Sequence, residues 1–224
     1  MNDLLKMLSI SPGITSVIGS GGKTTLLRFL AGELPGTVLL CTSTHIFPFE
    51  EYPLIISEPD EKADMLLPRL RESFRQSRVL CLGRRGENGK LVSPPVPFTA
   101  LLSSADYILV EADGSAGLPM KAHAEYEPVI PEGNSRTILV AGASAFFRKI
   151  SSVCHRPELF SAKTGTGAED ILSPALAARL INTENLSDFV FLNQADSLSA
   201  PEAADTFLKL INVPGTAGTL QPRS

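Results

Sequence analysis

A chain of 224 residues, 43% apolar and 20% charged, has the length and composition of one sizeable globular domain with a buried core. Its net charge of -4, with no basic run and no aromatic–basic interleaving, argues against a nucleic-acid partner, whose binding needs clustered Lys and Arg. No apolar run reaches the ~18 residues of a membrane span, and the opening MNDLLKMLSISPG carries an early acid and lacks the apolar core of a signal peptide.

The remaining features follow in chain order. Residues 3–9 have the pattern of a short amphipathic helix. ITSVIG is a short β-rich run that enters a glycine cluster, KTTLLRFLAGEL has helical periodicity, and PGT stops it. VLLC predicts a second strand with polar TSTH after it, and PLIIS a third. DEKADMLLPRLRESFRQ predicts a helix with Asp60 near its start and Pro68 as a kink. RVLCLG predicts a strand, and RRGENGKLV a hairpin turn with Asn88-Gly89 at its tip. ADYILVEADGS is the strongest strand signal of the middle of the chain, and RTILVAG is another. Residues 158–181 read as helix in pieces, broken at TGTG; DFVFLNQAD is a late strand and APEAADTFLKLI a helix. Strands alternating with helices predict a three-layer α/β domain, a mostly parallel β-sheet flanked by helices, over residues 1–224. The irregular stretch from about Gly114 to Ser135 is too long for an ordinary connector, which makes it a candidate functional loop, with Gly114 to Pro131 expected to act as a lid over the nucleotide. Cys41, Cys81 and Cys154 stand far apart in no C-x-x-C pair, as free thiols of a reducing cytoplasm do.

VIGSGGKTTLL ends like a phosphate-binding loop but does not begin like one. The usual spacing, G-x-x-x-x-G-K-[ST], puts its first glycine at position 17, where this chain has Val17. Glycines between a strand and a helix make a tight turn on their own, but a turn does not need Lys followed by two Thr. Gly19, Ser20, Gly21 and Gly22 would bring backbone close to phosphates at a helix N-terminus. Lys23 would neutralise the outer phosphates, and Thr24, followed by Thr25, would offer a hydroxyl to Mg²⁺. The form resembles the G-T-x-G-K-T-T variant of Mur-type ligases.

Phosphoryl chemistry also needs an acid at a strand end to hold or orient the metal and its waters. Glu111 in YILVEADG is that candidate, and its E-x-x-G spacing resembles the second acidic motif of SIMIBI-class P-loop proteins; Asp113 is the alternative. After the second strand, Thr42, Ser43 and Thr44 are candidates for a phosphate or the metal and His45 for acid–base work, against the plain alternative of a hydroxyl-rich turn. FLNQAD resembles the guanine-reading N-K-x-D motif with Gln194 in place of Lys, which makes Asn193 and Asp196 candidates for base reading; a capped strand end is the alternative. SAKTGTG is not the late S-A-K motif of GTPases, because it precedes NQAD here.

Taken together, VIGSGGKTTLL, CTSTHIF, EADGSAGLPMKAHAEYEPVIP, CHRPELF and FLNQAD resemble the YqeC-like family of selenium-dependent hydroxylase accessory proteins. The resemblance runs from about Val17 to Asp196. It implies a P-loop nucleotide-binding protein serving the maturation of molybdenum hydroxylases, with such a hydroxylase or its cofactor-assembly proteins as partner. The family's usual K-A-P-A-E-H-E-P stands here as KAHAEYEP, so His123 and Tyr126 are departures, while Lys121, Glu125 and Glu127 match as candidates to hold an acceptor or close over the triphosphate. In CHRPELF, Arg156 is a candidate arginine finger or a surface residue at a helix start.

The resulting expectation is a cytoplasmic, Mg²⁺-dependent nucleoside triphosphatase that uses ATP or GTP, with the lean toward GTP. Lys23, Glu111 and Asp113 would carry catalysis, and Thr24 and Glu111 the metal. Two rivals stand beside it. One is a phosphotransferase or ligase with a small-molecule acceptor near Lys121. The other is a non-catalytic nucleotide sensor that recruits a partner.

Overall fold

The computed structural model describes residues 3–198 and 202–220. In chain order the elements are α1 (Asp3–Leu8), β1 (Gly13–Gly19), α2 (Lys23–Glu33), β2 (Val38–Thr42), β3 (His45–Ile46), β4 (Leu54–Ile56), α3 (Ala63–Phe74), β5 (Val79–Arg85), β6 (Leu91–Val92), α4 (Phe98–Leu101) and β7 (Tyr107–Glu111). They continue with β8 (Met120–Lys121), β9 (Asn134–Gly142), α5 (Ile150–Val153), β10 (Cys154–His155), α6 (Pro157–Thr164), α7 (Pro174–Glu184), β11 (Phe189–Asn193), α8 (Glu202–Leu210) and β12 (Gly215–Ala217). The expected α/β class with a mostly parallel sheet is what the chain adopts. The chain divides into two compact units, and it passes from one to the other between Val17 and Ile18, inside β1.

The first unit contains residues up to Val17, Leu27–Gly114 and Val129–Arg136. Its sheet grows outward from β7. The start of β1 pairs in parallel with β7 (Gly13 opposite Tyr107, Val17 opposite Glu111), and β2 pairs on the other side of β7 (Thr42 opposite Glu111). β5 continues in parallel with β2 and carries β4 on its far side, while β6 and β3 turn antiparallel at the edge. Burial on both faces explains the unbroken apolar runs VLLC and YILV, since parallel strands covered on both sides lose the polar alternation. One core cluster joins Ile14, Leu39, Leu80, Ile108 and Val110 of the sheet to Leu66 and Leu70 of α3.

Two expectations meet different outcomes here. The Asn88-Gly89 hairpin forms, with both residues at positive φ (53° and 74°) and β5 paired to β6. The α3 helix begins at Ala63 rather than near Asp60, because Glu61 closes its own turn, its carboxylate accepting from the Glu58 N–H.

The second unit contains Ile18–Leu26, Ser115–Pro128 and the described residues from Thr137 onward. Here β11 lies in parallel between β9 and β12, with Asn193 opposite Gly142. β8 and β10 form a separate two-stranded parallel ribbon, Lys121 opposite His155. The start of α7 is well specified. Pro174 opens α7, and the Ser173 side chain accepts from the Leu176 N–H at 3.2 Å. The helical pieces on either side of TGTG are α6 and α7, with Gly165 left-handed at the end of α6. Ala200 and Pro201 of the expected last helix lie outside the described residues; α8 runs from Glu202. Phe146 packs against Phe207 of α8 at 5.8 Å between ring centroids.

Candidate functional site: a glycine turn at a helix start

Strand β1 does not stop at position 17. Val17 is fully buried and paired with Glu111, so it is a strand residue, and a glycine there has no turn to make. The turn itself is Ser20–Gly22, and α2 starts at Lys23. Gly21 (φ 86°) and Gly22 (φ 129°) hold backbone conformations that side-chain-bearing residues avoid. Neither position has room for a side chain either. A Cβ on Gly21 would lie 2.5 Å from the Gly142 nitrogen and 2.9 Å from the Pro119 oxygen, and one on Gly22 would collide with Asn193 Nδ2.

The turn is held from several sides within the second unit. Ser20 N–H donates to Val140 O at 2.8 Å, and the buried Ser20 hydroxyl donates to Leu118 O. Asn193 is buried at the end of β11. Its Nδ2 donates to Gly21 O at 2.9 Å, and its Oδ1 accepts from Leu220 N–H at 3.0 Å. Lys23 is only 3% exposed; its Nζ donates to Gly19 O at 2.7 Å and to the Ser115 hydroxyl at 3.1 Å. An ammonium group is thus kept at the mouth of the turn by partners that a phosphate oxygen can replace. Thr24 and Thr25 occupy the first turn of α2, both half-buried. That turn contains no acidic residue of its own.

Ser115 was not legible as a participant. The available signal is its place directly after E-A-D-G, which sets its hydroxyl on Lys23.

In the first unit, Glu111 ends β7 and Asp113 follows two residues later, both buried. The Thr42 hydroxyl donates to Glu111 O at 2.9 Å and accepts from Thr44 N–H at 3.0 Å, and the Ser43 hydroxyl donates to Val129 O at 2.6 Å. Thr42 therefore fixes a hydroxyl-rich turn, the plainer of the two readings of this stretch. Thr44 is half-buried, and His45 is exposed on β3 opposite Val92.

The stretch expected to be a lid is partly built in. In the second unit Pro119 O accepts from Gly142 N–H at 2.7 Å, Ala122 N–H donates to His155 O at 3.1 Å, and Met120, Lys121, Ala122 and His123 are buried. Its exposed residues are Ser115–Gly117 and Glu125–Tyr126 in the second unit, and Val129, Ile130, Glu132, Gly133 and Ser135 in the first. Asp196 is tied to Thr219 in both directions, its N–H donating to Oγ1 at 3.0 Å and its Oδ1 accepting from that hydroxyl at 2.9 Å. Gln194, left-handed at φ 60°, accepts from the Ser144 hydroxyl at 2.5 Å.

Both departures from K-A-P-A-E-H-E-P are engaged. His123 is buried, with Nδ1 2.7 Å from Glu184 Oε2, while Lys163 Nζ donates at 2.6 Å to Glu184 Oε1 and to His123 O. The Tyr126 hydroxyl accepts from Arg156 Nη2 at 3.2 Å. Burial raises the Glu184 carboxyl pKa, but the hydrogen bonds and charge of His123 and Lys163 outweigh it and hold it below 4.5. Glu127 behaves alike. Burial raises it, and Arg156 and Lys121 more than reverse that.

These two depressed carboxyls set an acid limit. Above about pH 4.5 their contribution to stability is fully present. As the pH falls further, the unfolded chain takes up protons that the folded chain resists, and stability is lost through the folded values. Glu184→Gln should lower stability at pH 7 by about 3 kcal/mol, as breaking a buried pair does. It should also flatten the fall below pH 4.5. Thermal unfolding from pH 7 to 3 reads both, and an acid limb unchanged by the substitution would contradict the assignment.

The three cysteines are buried free thiols. Burial pushes Cys154 up to about 12 and Cys81 up to about 11, so neither is a thiolate near neutral pH. Among the described residues, no helix is long and apolar enough to cross a membrane.

Comparison with known proteins places these features in a family. Partial backbone likeness extends to FtsY from Mycoplasma mycoides (15% identity, TM-score 0.42, 92% of this chain and 60% of that one). It extends also to a ParA family ATPase from Chlorobium tepidum TLS (14% identity, TM-score 0.42, 92% and 83%). In sequence, the chain is 35% identical over 163 residues to the uncharacterized protein YqeC of Escherichia coli (strain K12). That match takes in 69% of this chain and spans 61% of the relative's length. The family model described as YqeC protein matches residues 15–158, from β1 to the start of α6, and takes in the glycine turn, the acidic strand end and the KAHAEYEP stretch. With more than half of its length inside that match, this chain belongs to the YqeC family.

Proposed function

We propose that the chain binds a nucleoside triphosphate at the turn Gly19–Gly22 and the start of α2, and hydrolyses it to drive a maturation or delivery step. The observation that carries this reading is Lys23. Its buried ammonium stands at a helix start directly behind the glycine turn, where Gly19 O and the Ser115 hydroxyl accept from it, and a phosphate oxygen is an acceptor of the same kind. The backbone N–H groups of the turn would cradle the phosphates, Lys23 would leave Ser115 for a phosphate oxygen, and Asn193 would hold the turn in shape.

Oxygen donors suit a small hard cation, and Thr24 and Glu111 are the residues for Mg²⁺. Among the described residues no group of three or more His, Cys, Asp and Glu could hold a metal ion, which fits a magnesium bound chiefly through phosphates and one or two protein oxygens. When bound, Mg²⁺ would neutralise charge developing on the phosphates. Asp113 remains the candidate to orient the attacking water. Asp196 is the candidate base reader, and a carboxylate there favours GTP over ATP.

Glu111→Gln should leave triphosphate affinity within a fewfold and cut turnover by about a hundredfold or more, since an interaction made in the transition state lowers rate rather than affinity. Phosphate release and equilibrium binding, measured on the same preparation, check this. Equal loss of both with a lowered melting temperature would mark Glu111 as structural.

Membership in the YqeC family supports a cytoplasmic accessory role in maturing selenium-dependent molybdenum hydroxylases, with the hydroxylase or its cofactor-assembly proteins as partner. One observation favours the second reading, transfer to a small acceptor: the paired cations Lys121 and Arg156. Phosphate release that appears only when acceptor is added would select it.

A further inference from the structure

Lys121 has a fully buried side chain, and its Nζ lies 2.9 Å from Glu127 Oε2. Arg156 Nη1 donates to the same oxygen. Two cations therefore converge on one oxygen of one carboxylate. Arg156 does so from a left-handed backbone, φ 66°, which a side-chain-bearing residue adopts only under constraint. Its guanidinium also lies 5.6 Å from the centre of the Tyr126 ring, and Tyr126 is 71% exposed.

The pairing of β8 with β10 sets His155 opposite Lys121, and Glu158 is exposed on the first turn of α6. Burial first, then Arg156 and Lys121, lower the His155 pKa, and they outweigh Glu127 and Glu158. For stability alone, buried apolar residues serve as well as a buried ion pair, so Lys121 and Arg156 call for another reason.

We propose that Lys121 and Arg156 form a binding site for a small carboxylate-bearing ligand, and that Glu127 holds the place as an internal mimic. The group already seated there is a carboxylate, and a guanidinium fork matches a carboxylate with two parallel hydrogen bonds. Tyr126 and Glu127 share one turn, closed by Glu127 N–H on Ala124 O at 3.0 Å. Withdrawal of that turn takes their shared carboxylate from both cations together, and the incoming carboxylate replaces the outgoing one with no covalent change. The site uses none of the residues assigned to the triphosphate except Lys121, which it reassigns.

The test is thermal unfolding of the full chain, titrated with sodium formate, acetate or phosphate against sodium chloride at matched ionic strength. Formate and acetate should raise the melting temperature saturably. In Glu127→Gln, whose internal competitor has lost its charge, half-saturation should fall by at least about tenfold. Arg156→Gln should abolish the response, and Lys23→Met should leave it intact, which separates this site from the phosphate turn. If Glu127→Gln does not fold, Glu127→Asp, one methylene shorter, takes its place. No carboxylate-specific shift in the wild type and the Glu127 variant, or the same shift in Arg156→Gln, overturns the proposal. A larger response to phosphate than to either carboxylate overturns the ligand class.

Discussion

Lys23→Met should weaken triphosphate binding by roughly a hundredfold or more. A hydrogen bond to a charged group contributes about 1.5–3 kcal/mol, and a lysine at the outer phosphates supplies more than one. Methionine is the informative substitution because Lys23 is buried, with 3% of its surface exposed. Lys23→Ala would remove a packed stem along with the charge. Methionine keeps most of that volume and removes the ammonium, including its hydrogen bonds to the Gly19 carbonyl and the exposed Ser115 hydroxyl. The melting temperature of the ligand-free protein should therefore move by only a few degrees while nucleotide-dependent stabilisation disappears. Unchanged affinity in Lys23→Met would remove the lysine from the site.

Gly21→Ala should be strongly damaging for a single methyl group. Alanine at φ 86° costs about 1–2 kcal/mol in backbone strain. The new Cβ would also stand 2.5 Å from the Gly142 nitrogen, a backbone atom that cannot swing aside, and overpacking of that kind costs about 1–3 kcal/mol more. For a chain of this size the sum lowers the melting temperature by roughly 5–15 °C. Gly117→Ala is the matched control. Gly117 also has a positive φ, 74°, but a Cβ there meets nothing within 4 Å, so only the backbone cost of about 1–2 kcal/mol applies. Equal destabilisation by the two substitutions would mean that Gly142 yields, and that the turn is looser than its packing indicates.

The long elements were legible because their sequences carry their own periods. β2, β7 and β11 are continuous apolar runs buried on both faces, and α2 follows its glycines with helical spacing. The short strands were not legible. β3, β8 and β10 are two residues each, and they exist only because a distant partner lies alongside them. Val17 shows the same limit within a motif. Counting positions makes it a missing glycine, whereas pairing with Glu111 makes it part of the strand, and the turn begins later. Asn193 was visible as a polar residue at a strand end. Its grip on Gly21, 172 residues away in the chain, was not, because spacing carries no record of tertiary partners. The buried middle of the candidate lid escaped notice for a similar reason. KAHAEY looks polar, but Lys121 and His123 are buried with carboxylates contributed by Glu127 and Glu184.

The central claim is that Ser20–Gly22 and Lys23 hold a triphosphate. The most direct measurement is thermal unfolding of the purified protein with ATP, GTP, CTP and UTP, each with and without Mg²⁺. At about 100 times its dissociation constant a ligand adds about 2.7 kcal/mol. In a chain of this length that raises the melting temperature by roughly 5–10 °C. The account predicts a Mg²⁺-dependent rise of that size, largest for GTP and absent in Lys23→Met. No rise with any of the four nucleotides, or an equal rise in Lys23→Met, would contradict it.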